Sequence, residues 1–449
     1  MASDLERAFE VLKNKAQAYG TLWDYYDGAQ PLKYSTERLK AAFSQLNVRF
    51  VANWCAVIVD TVLDRLVLKR FVVSGDEEAT ARLNLLWAVT GMKLDDDEAH
   101  RAALVCGESY VIGWNDPELG IEAYYNDPRM VHLFYDEEHP RRKEFGAKWW
   151  RSELDGKARL NLYYADRVEK FATRKGVDVK APLEDAKVFE PAGETRHDLG
   201  MVPVFQLRRE KRVGSELASG VLTLQDAVNK LLADMMVAAE FGSFKQRYII
   251  SQAEIKGRLK NAPNEIWVLP AADGVGQDTE VGEFEAAELG GYLGAMDRLA
   301  TAMAIITRTP KHYLFEKAGS NPSGEALIAL EAPLNAKAGR YIERFQAGWR
   351  EVATFLLLMD GREVDPMAIQ AIYADPRTLQ PLTQAQARQT DVSAGIPLRT
   401  VLRWEGRSEE DITQMEQERA DELSAAQESL ATALVEQQRR FSQNGGGNG

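Results

Sequence analysis

The sequence predicts an α+β protein, with helices and an antiparallel sheet in its first half and long helices in its second. Three observations lead there. Apolar residues recur at helical spacing in three long seams. The first is Leu217, Val221, Leu224, Val228, Leu231, Met235 and Ala238. The second is Leu289, Tyr292, Leu293, Met296, Leu299, Ala300, Met303 and Ile306, and the third Leu327, Leu330, Leu334, Ala338, Tyr341, Phe345, Trp349, Val352, Phe355 and Met359. Between Ser109 and Leu207 the period shortens to that of strands. A length of 449 residues exceeds what one compact core organises, so two to four structural regions are expected.

In chain order, Leu5, Phe9, Leu12, Ala16 and Tyr19 mark a first helix that Gly20 should stop. A second carries Phe50, Val51, Trp54, Cys55, Ile58, Val59, Val62, Leu63 and Leu66 on one side, with Asp60, Asp64 and Arg65 turned away. A third spans about Glu77 to Val89. The run Asp95-Asp96-Asp97-Glu98 opens a fourth, where carboxylates complement the helix dipole. Strands follow at Tyr110 to Trp114, Ile121 to Tyr125, Met130 to Tyr135, Ala147 to Arg151 and Leu160 to Tyr164. Asn-Asp-Pro turns separate the first three, and Asp155-Gly156 is a strong hairpin signal between the last two. Lys175 to Asp198 reads as a polar surface excursion.

The first seam predicts a helix from about Ser215 to Glu240. Phe244 to Glu285 breaks its period, with short strands at Arg247 to Ile250 and Ile266 to Leu269. The second seam ends sharply at Thr309-Pro310. A polar, basic loop bounded by prolines, Lys311 to Pro322, separates it from the third, which Pro333 should kink. From Gly361 the chain reads as helical: Thr383 to Gly395, Pro397 to Gly406, and a largely solvated helix after Ser408-Glu409-Glu410-Asp411, which resembles a capping box. Asn444 to Gly449 reads as a disordered tail.

Composition, 45% hydrophobic and 27% charged, is that of a soluble globular protein. No run of about 18 apolar residues occurs, and Met1 to Glu6 lacks the basic and apolar regions of a signal peptide, so neither secretion nor membrane insertion is expected. Cys55 and Cys106 sit in apolar surroundings and read as buried free thiols in a reducing compartment. The net charge of −13 argues against static gripping of nucleic acid, because affinity for phosphates comes from basic residues. The same charge suits a protein that surrounds DNA and lets it slide, since repulsive walls keep a polyanion from sticking.

Catalytic chemistry finds little support. Five scattered histidines form no His-Glu-x-x-His pair, and two cysteines cannot build a structural zinc site, so no metal and no cofactor are expected. Asp95 to Glu98 with His100 looks superficially like a metal cluster, but neighbouring helical positions diverge around the axis. The nearest glycine loop, Gly319 to Glu325, has Glu325 where a phosphate-binding lysine would stand. There is no Gly-x-Ser-x-Gly elbow. What remains is a layout. Two helices joined at one end by a small insert and at the other by a basic loop make a poor monomer, because each exposes an apolar flank that neighbouring copies would cover in a ring.

The order of short motifs resembles the portal, or head-to-tail connector, proteins of tailed bacteriophages, in the group from long-tailed phages of Gram-positive hosts. The resemblance is carried by Tyr25-Tyr26-Asp27-Gly28-Ala29-Gln30-Pro31, Asn53-Trp54-Cys55-Ala56-Val57-Ile58-Val59-Asp60, Asp64-Arg65-Leu66 and Gly107-Glu108-Ser109-Tyr110-Val111. It continues through Asp127-Pro128, Leu199 to Val204, Gly214-Ser215-Glu216 and Leu224 to Lys230. Ile305 to Leu314, Asn321 to Leu327 and Glu331-Ala332-Pro333-Leu334 complete it, so that it covers roughly residues 19 to 360. Lys69-Arg70-Phe71 and Leu207-Arg208-Arg209 depart from the usual pattern and leave local geometry open there.

The resemblance implies a portal fold. Residues 1–214 would form an α/β wing, 215–243 a stem helix, 244–285 a small α/β clip and 286–309 a second stem helix. Residues 310–322 would be the tunnel loop, 323–361 a long kinked wing helix, 362–443 a helical crown and 444–449 the tail. It implies a dodecameric channel at one capsid vertex, through which terminase packages double-stranded DNA that is later ejected, and no enzyme activity. Lys311, His312, Lys317, Ser320 and Asn321 would touch DNA phosphates whatever the base sequence. Asp226, Lys230, Asp234 and Asp297 would line the channel, and Arg247, Tyr248 and Trp267 would meet partners at the clip. The expected partners are further copies of the chain, DNA, the terminase large subunit, a head-completion or adaptor protein, and the major capsid and scaffolding proteins, with no membrane. The expected location is the virion, with assembly in the host cytoplasm. A helical scaffold or adaptor without a DNA conduit, and a nucleotide-dependent enzyme with a site hidden in the α/β region, are the alternatives from other classes.

Overall fold

A computed structural model describes residues 3–33, 51–179, 181–210, 214–243, 247–250, 280–283, 289–316, 323–377, 381–404, 407 and 411–424. The chain divides into two units, Met1–Val67 with Phe71–Ala371, and Leu68–Arg70 with Ile372–Gly449.

The larger unit opens with α1 (Asp4–Tyr26), started by a reciprocal capping box in which Ser3 and Glu6 satisfy each other's backbone N–H. Contrary to the sequence reading, α1 runs through Gly20. A helical glycine costs only about 1 kcal/mol, and the helix gains more by burying Phe9, Leu12 and Tyr25 along its length. Helix α2 (Trp54–Leu63) is capped by Asn53, whose amide also donates to Tyr26 O at 2.6 Å. After β1 (Leu68–Val73) come α3 (Glu77–Val89), capped by Asp76, and α4 (Met92–Cys106).

Two antiparallel sheets follow. Strands β2 (Glu108–Asp116), β3 (Gly120–Asn126) and β9 (Val204–Arg208) form a sheet in the order β3-β2-β9. Strands β4 (Val131–Tyr135), β5 (Lys143–Arg151), β6 (Ala158–Tyr163), β7 (Arg167–Thr173) and β8 (Phe189–Arg196) form a meander in chain order. The Asp155-Gly156 turn joins β5 to β6, as the hairpin signal predicts. The segment read as a surface excursion supplies β8, an edge strand whose side chains are almost all exposed and so leave no alternating apolar pattern.

Ala8, Phe9 and Leu12 of α1 pack on Phe134, Phe145, Leu160 and Phe189. A second cluster joins Tyr110 and Ile112 of the small sheet to Val131, Leu133 and Val168 of the large one. Helices α5 (Ser219–Ser243), α6 (Leu289–Thr307), α7 (Lys311–Leu314) and α8 (Gly324–Met359) complete the main helical elements, with β10 (Arg247–Ile250) and β11 (Glu280–Glu283) paired antiparallel between α5 and α6. Pro333 lies inside α8, which continues past it. Trp349 of α8 sits edge-on to Trp87, 5.0 Å between ring centres, and Phe355 packs on Phe205 at 5.4 Å. Gly348 lets α8 lie this close to β9, since a Cβ there would meet Gln206 O at 2.9 Å.

After α8 the chain is not wholly helical: β12 (Ile369–Tyr373) pairs with β1. The smaller unit contains α9 (Pro381–Ser393), α10 (Leu398–Trp404) and a helix over 411–424. Arg399 bridges to Glu416 at 3.2 Å, and Val401, Leu402 and Ile412 are buried. Residues 405–406, 408–410 and 425–449, with the expected capping box and tail, lie outside the described residues, as does the expected strand at Ile266 to Leu269.

Candidate functional site

Of the residues that the sequence singles out, Lys311, His312 and Asp297 stand beside the bend between α6 and α8. Helix α6 stops where Thr307 turns its hydroxyl back to Met303 O at 2.8 Å. Arg308 then adopts φ +57°, the left-handed conformation that non-glycine residues rarely take, and Pro310 starts the one-turn helix α7. The loop expected to start at Lys311 therefore begins as a helix, closed by Tyr313 N on Pro310 O at 3.1 Å and by Phe315 N on Lys311 O at 2.9 Å. Tyr313 of α7 donates to Glu331 of α8 at 2.7 Å, and Arg65 meets both Glu331, at 3.2 Å, and Asn335, at 2.7 Å.

One turn further along α8 lies a buried ionic cluster. Lys337 Nζ donates to Thr307 O at 2.7 Å, which pins the end of α6, and to Glu216 at 3.0 Å. Glu216 also receives Arg209 at 2.6 Å and the Tyr341 hydroxyl. Burial alone would raise the Glu216 carboxyl, yet Lys337 and Arg209 hold it below its ordinary value. Burial lowers the Lys337 ammonium, with Glu216 opposing that effect. The cluster borders a cavity of about 660 Å³ whose wall includes Arg209, Ile306, Arg308, Lys337, Arg340 and Arg344.

The called residues divide. Lys311 of α7 and Asp297 of α6 are brought together in an ion pair at 2.7 Å, so the two neutralise each other. The His312 ring lies against Tyr313, 4.4 Å between centres. Lys230 and Asp234 pair one turn apart on α5. Asp226 does not fit a channel wall. It is 3% exposed, accepts the Tyr25 hydroxyl at 2.8 Å and meets Lys33 at 3.1 Å. The apolar seam of α5 carries polar neighbours for a reason: Gln225 and Asn229 satisfy the backbone of Ala52 and Trp54, while Asp226 holds the end of α1. Arg247 and Tyr248 stand in β10, opposite Glu283 and Gly282. Lys317, Ser320, Asn321 and Trp267 lie outside the described residues.

Sequence reasoning missed the roles of Glu216, Arg209 and Lys337. A signal existed, since Glu331, Asn335 and Lys337 interrupt an otherwise apolar face of α8 and must find partners if that face is buried. Those partners could not be named, because Glu216 is 121 positions away in sequence. Among the described residues, no group of three His, Cys, Asp or Glu could hold a metal ion, and no helix is long and apolar enough to cross a membrane.

The pattern of the phage portal protein family, SPP1 Gp6-like, matches residues 6–425. The chain belongs to that family. It is 26% identical over 344 residues to the portal protein of Mycobacterium phage L5, covering 71% of this chain and 68% of that one. The portal protein of Mycobacterium phage D29 is 26% identical over 342 residues, with the same coverage of each chain. Among solved structures, a chain from the neck of an empty GTA particle, computed with C6 symmetry, covers 84% of this chain and 89% of its own length at 12% identity and a TM-score of 0.41. As a phage portal protein with a mixed helix-and-sheet portal fold, the chain is a structural component of the virion and a head-to-tail connector.

Proposed function

We propose that twelve copies of this portal-family chain form a ring at one capsid vertex, through which terminase packages double-stranded DNA and through which the DNA later leaves. The observation that carries this reading is the incompleteness of α6. It buries Met296, Ala300, Met303 and Thr307, whereas Leu289, Leu293, Ile305 and Ile306 are exposed, Ile305 by 73%. An apolar flank of that kind beside a sharp bend is suited to cover by a neighbouring copy. In this reading residues 1–214 are the wing, 215–243 and 286–309 the stem, and 244–285 the clip that meets terminase and the head-completion protein, with Arg247, Tyr248 and Trp267 at the contact. Residues 310–322 are the tunnel loop, 323–361 the long wing helix and 362–443 the crown. Capsid and scaffolding proteins surround the ring as it assembles in the host cytoplasm.

DNA is touched through phosphates by Lys311, His312, Lys317, Ser320 and Asn321. Lys311 must exchange Asp297 for a phosphate as the duplex passes, which keeps each contact weak and easily broken. Asp297 and the Lys230–Asp234 pair supply the remaining polar stem positions, and the ring conducts without catalysing. Negative-stain microscopy and native mass spectrometry test the ring: an open annulus of twelve subunits, or thirteen for recombinant protein, is expected, and a monomer or dimer refutes it. Intrinsic ATP hydrolysis would instead favour an enzyme. Changing Lys311 and Lys317 to Glu should impair packaging by intact rings; normal packaging would remove both from the mechanism.

A further inference from the structure

The cavity at the bend is more basic than the chain around it. Among the described residues, five cations and three carboxylates, Glu210, Glu216 and Glu343, line it. Two of the cations, Arg209 and Lys337, are already bonded to Glu216, and Arg209 also lies 3.4 Å from Glu210. Arg308, Arg340 and Arg344 remain, all exposed and none within ion-pair distance of a carboxylate among the described residues. Arg340 and Arg344 stand one turn apart on α8, and the left-handed backbone of Arg308 directs the chain across the same opening. In a protein with a net charge of −13, three guanidinium groups without a carboxylate partner among the described residues are an unusual concentration around one recess.

We infer that this cavity receives an acidic segment from a second copy of the chain, whose carboxylates pair with Arg308, Arg340 and Arg344; the inference rests on the ring reading above. Two features favour a protein carboxylate over a DNA phosphate. A space of about 660 Å³ holds a few side chains but admits no length of duplex. Its wall also includes Ile306, 56% exposed and continuous along the chain with Ile305, so an occupant gains by covering apolar surface as well as by pairing charge. Arginine suits the task, because its planar fork holds a carboxylate through two hydrogen bonds. The occupant would lock the α6–α8 bend of one subunit to its neighbour, and the already satisfied Glu216 cluster would serve as its rigid floor.

The test uses the full chain, with assembly followed by native mass spectrometry across protein and salt concentration. The double variant R340E/R344E should need at least about tenfold more protomer for half-assembly, whereas R340K/R344K, which keeps the charge, should lose much less. Thermal melting of dissociated protomers should be unchanged. If charge reversal lowers that melting temperature, R340Q/R344Q replaces it and should also weaken assembly. Unchanged assembly and salt dependence in these variants would overturn the inference while leaving the ring intact as a reading. Normal rings that retain less DNA would overturn it in favour of phosphate binding. A parent chain that never assembles would remove the ring reading and this inference with it.

Discussion

Helices α6 and α8 flank the same bend, yet α8 beyond its first two turns is finished within the chain and α6 is not. On α8 the apolar stripe of Leu334, Ala338, Tyr341, Phe345, Trp349, Val352 and Phe355 is buried, and charged residues on that face, Glu331 and Lys337, have partners supplied from distant parts of the sequence. On α6, Leu289, Leu293, Ile305 and Ile306 remain in solvent. The two helices look alike as periodic seams. What separates them is that α8 lies on β9 and beside α3 and α4, whereas α6 packs on α5 and leaves the flank of Leu289, Leu293, Ile305 and Ile306 exposed. An amphipathic period therefore states that a face must be covered, not by what.

The strongest test of the finished side is Trp349→Ala. Losing the ring between Trp87 and His100 should cost about 3–5 kcal/mol in protomer stability, measured by denaturant unfolding; a loss under about 1 kcal/mol would break the contrast. Acid is the next largest probe. His100 accepts from Trp349 Nε1 at 2.9 Å, and burial lowers its pKa to about 3. A histidine whose folded pKa is depressed contributes stability that is complete above its unfolded value of about 6.5 and is lost as pH falls toward the folded value. Unfolding free energy should drop by about 3 kcal/mol between pH 6.5 and 4 on this account, and His100→Met should flatten that slope. His132, lowered to about 4 by burial and by Lys15, adds loss of the same sign.

Lys337→Met should cost about 3 kcal/mol, because it leaves Glu216 buried with one cation fewer and releases Thr307 O. It should also loosen the end of α6, read as faster amide exchange around Thr307. The smallest effect sharpens the comparison most. Ile305→Ser with Ile306→Ser should change protomer stability by less than about 0.5 kcal/mol while reducing assembly. Equal damage to folding would mean that α6 is as finished as α8.

Much of the architecture was legible. The Asp155-Gly156 turn, the Asn-Asp-Pro turns and the strands from Tyr110 to Tyr164 stand where alternation predicts, since one face of each sheet is buried and register follows the pattern. Helix α3 and the boundaries of α6 were equally plain. The misreadings share a cause in which tertiary contact outweighs local signal. Gly20 does not end α1, because residues on both sides of it are held by packing. Strand β8 escaped notice because an exposed edge strand gains its place through backbone pairing with β7, which leaves no mark in side-chain pattern. At the bend, the lysine and histidine of the loop were visible as types, but the Lys311–Asp297 pair and the burial of Asp226 were not. Each depends on which helix face turns toward which neighbour, and a seam does not encode that.

Gly107, with φ +92°, ends α4 where a Cβ would strike Gly214 N at 2.6 Å. Around this crossing Glu216 N reaches Leu104 O at 2.9 Å and Arg209 N reaches Gly107 O at 3.4 Å. The strand that leaves α4 and the segment that leads into α5 thus touch main chain to main chain, with no side chain to act as a spacer. Such a crossing has no slack: the start of α5 is tied to the end of α4, so the direction in which α5 departs depends on a glycine more than a hundred residues upstream of it.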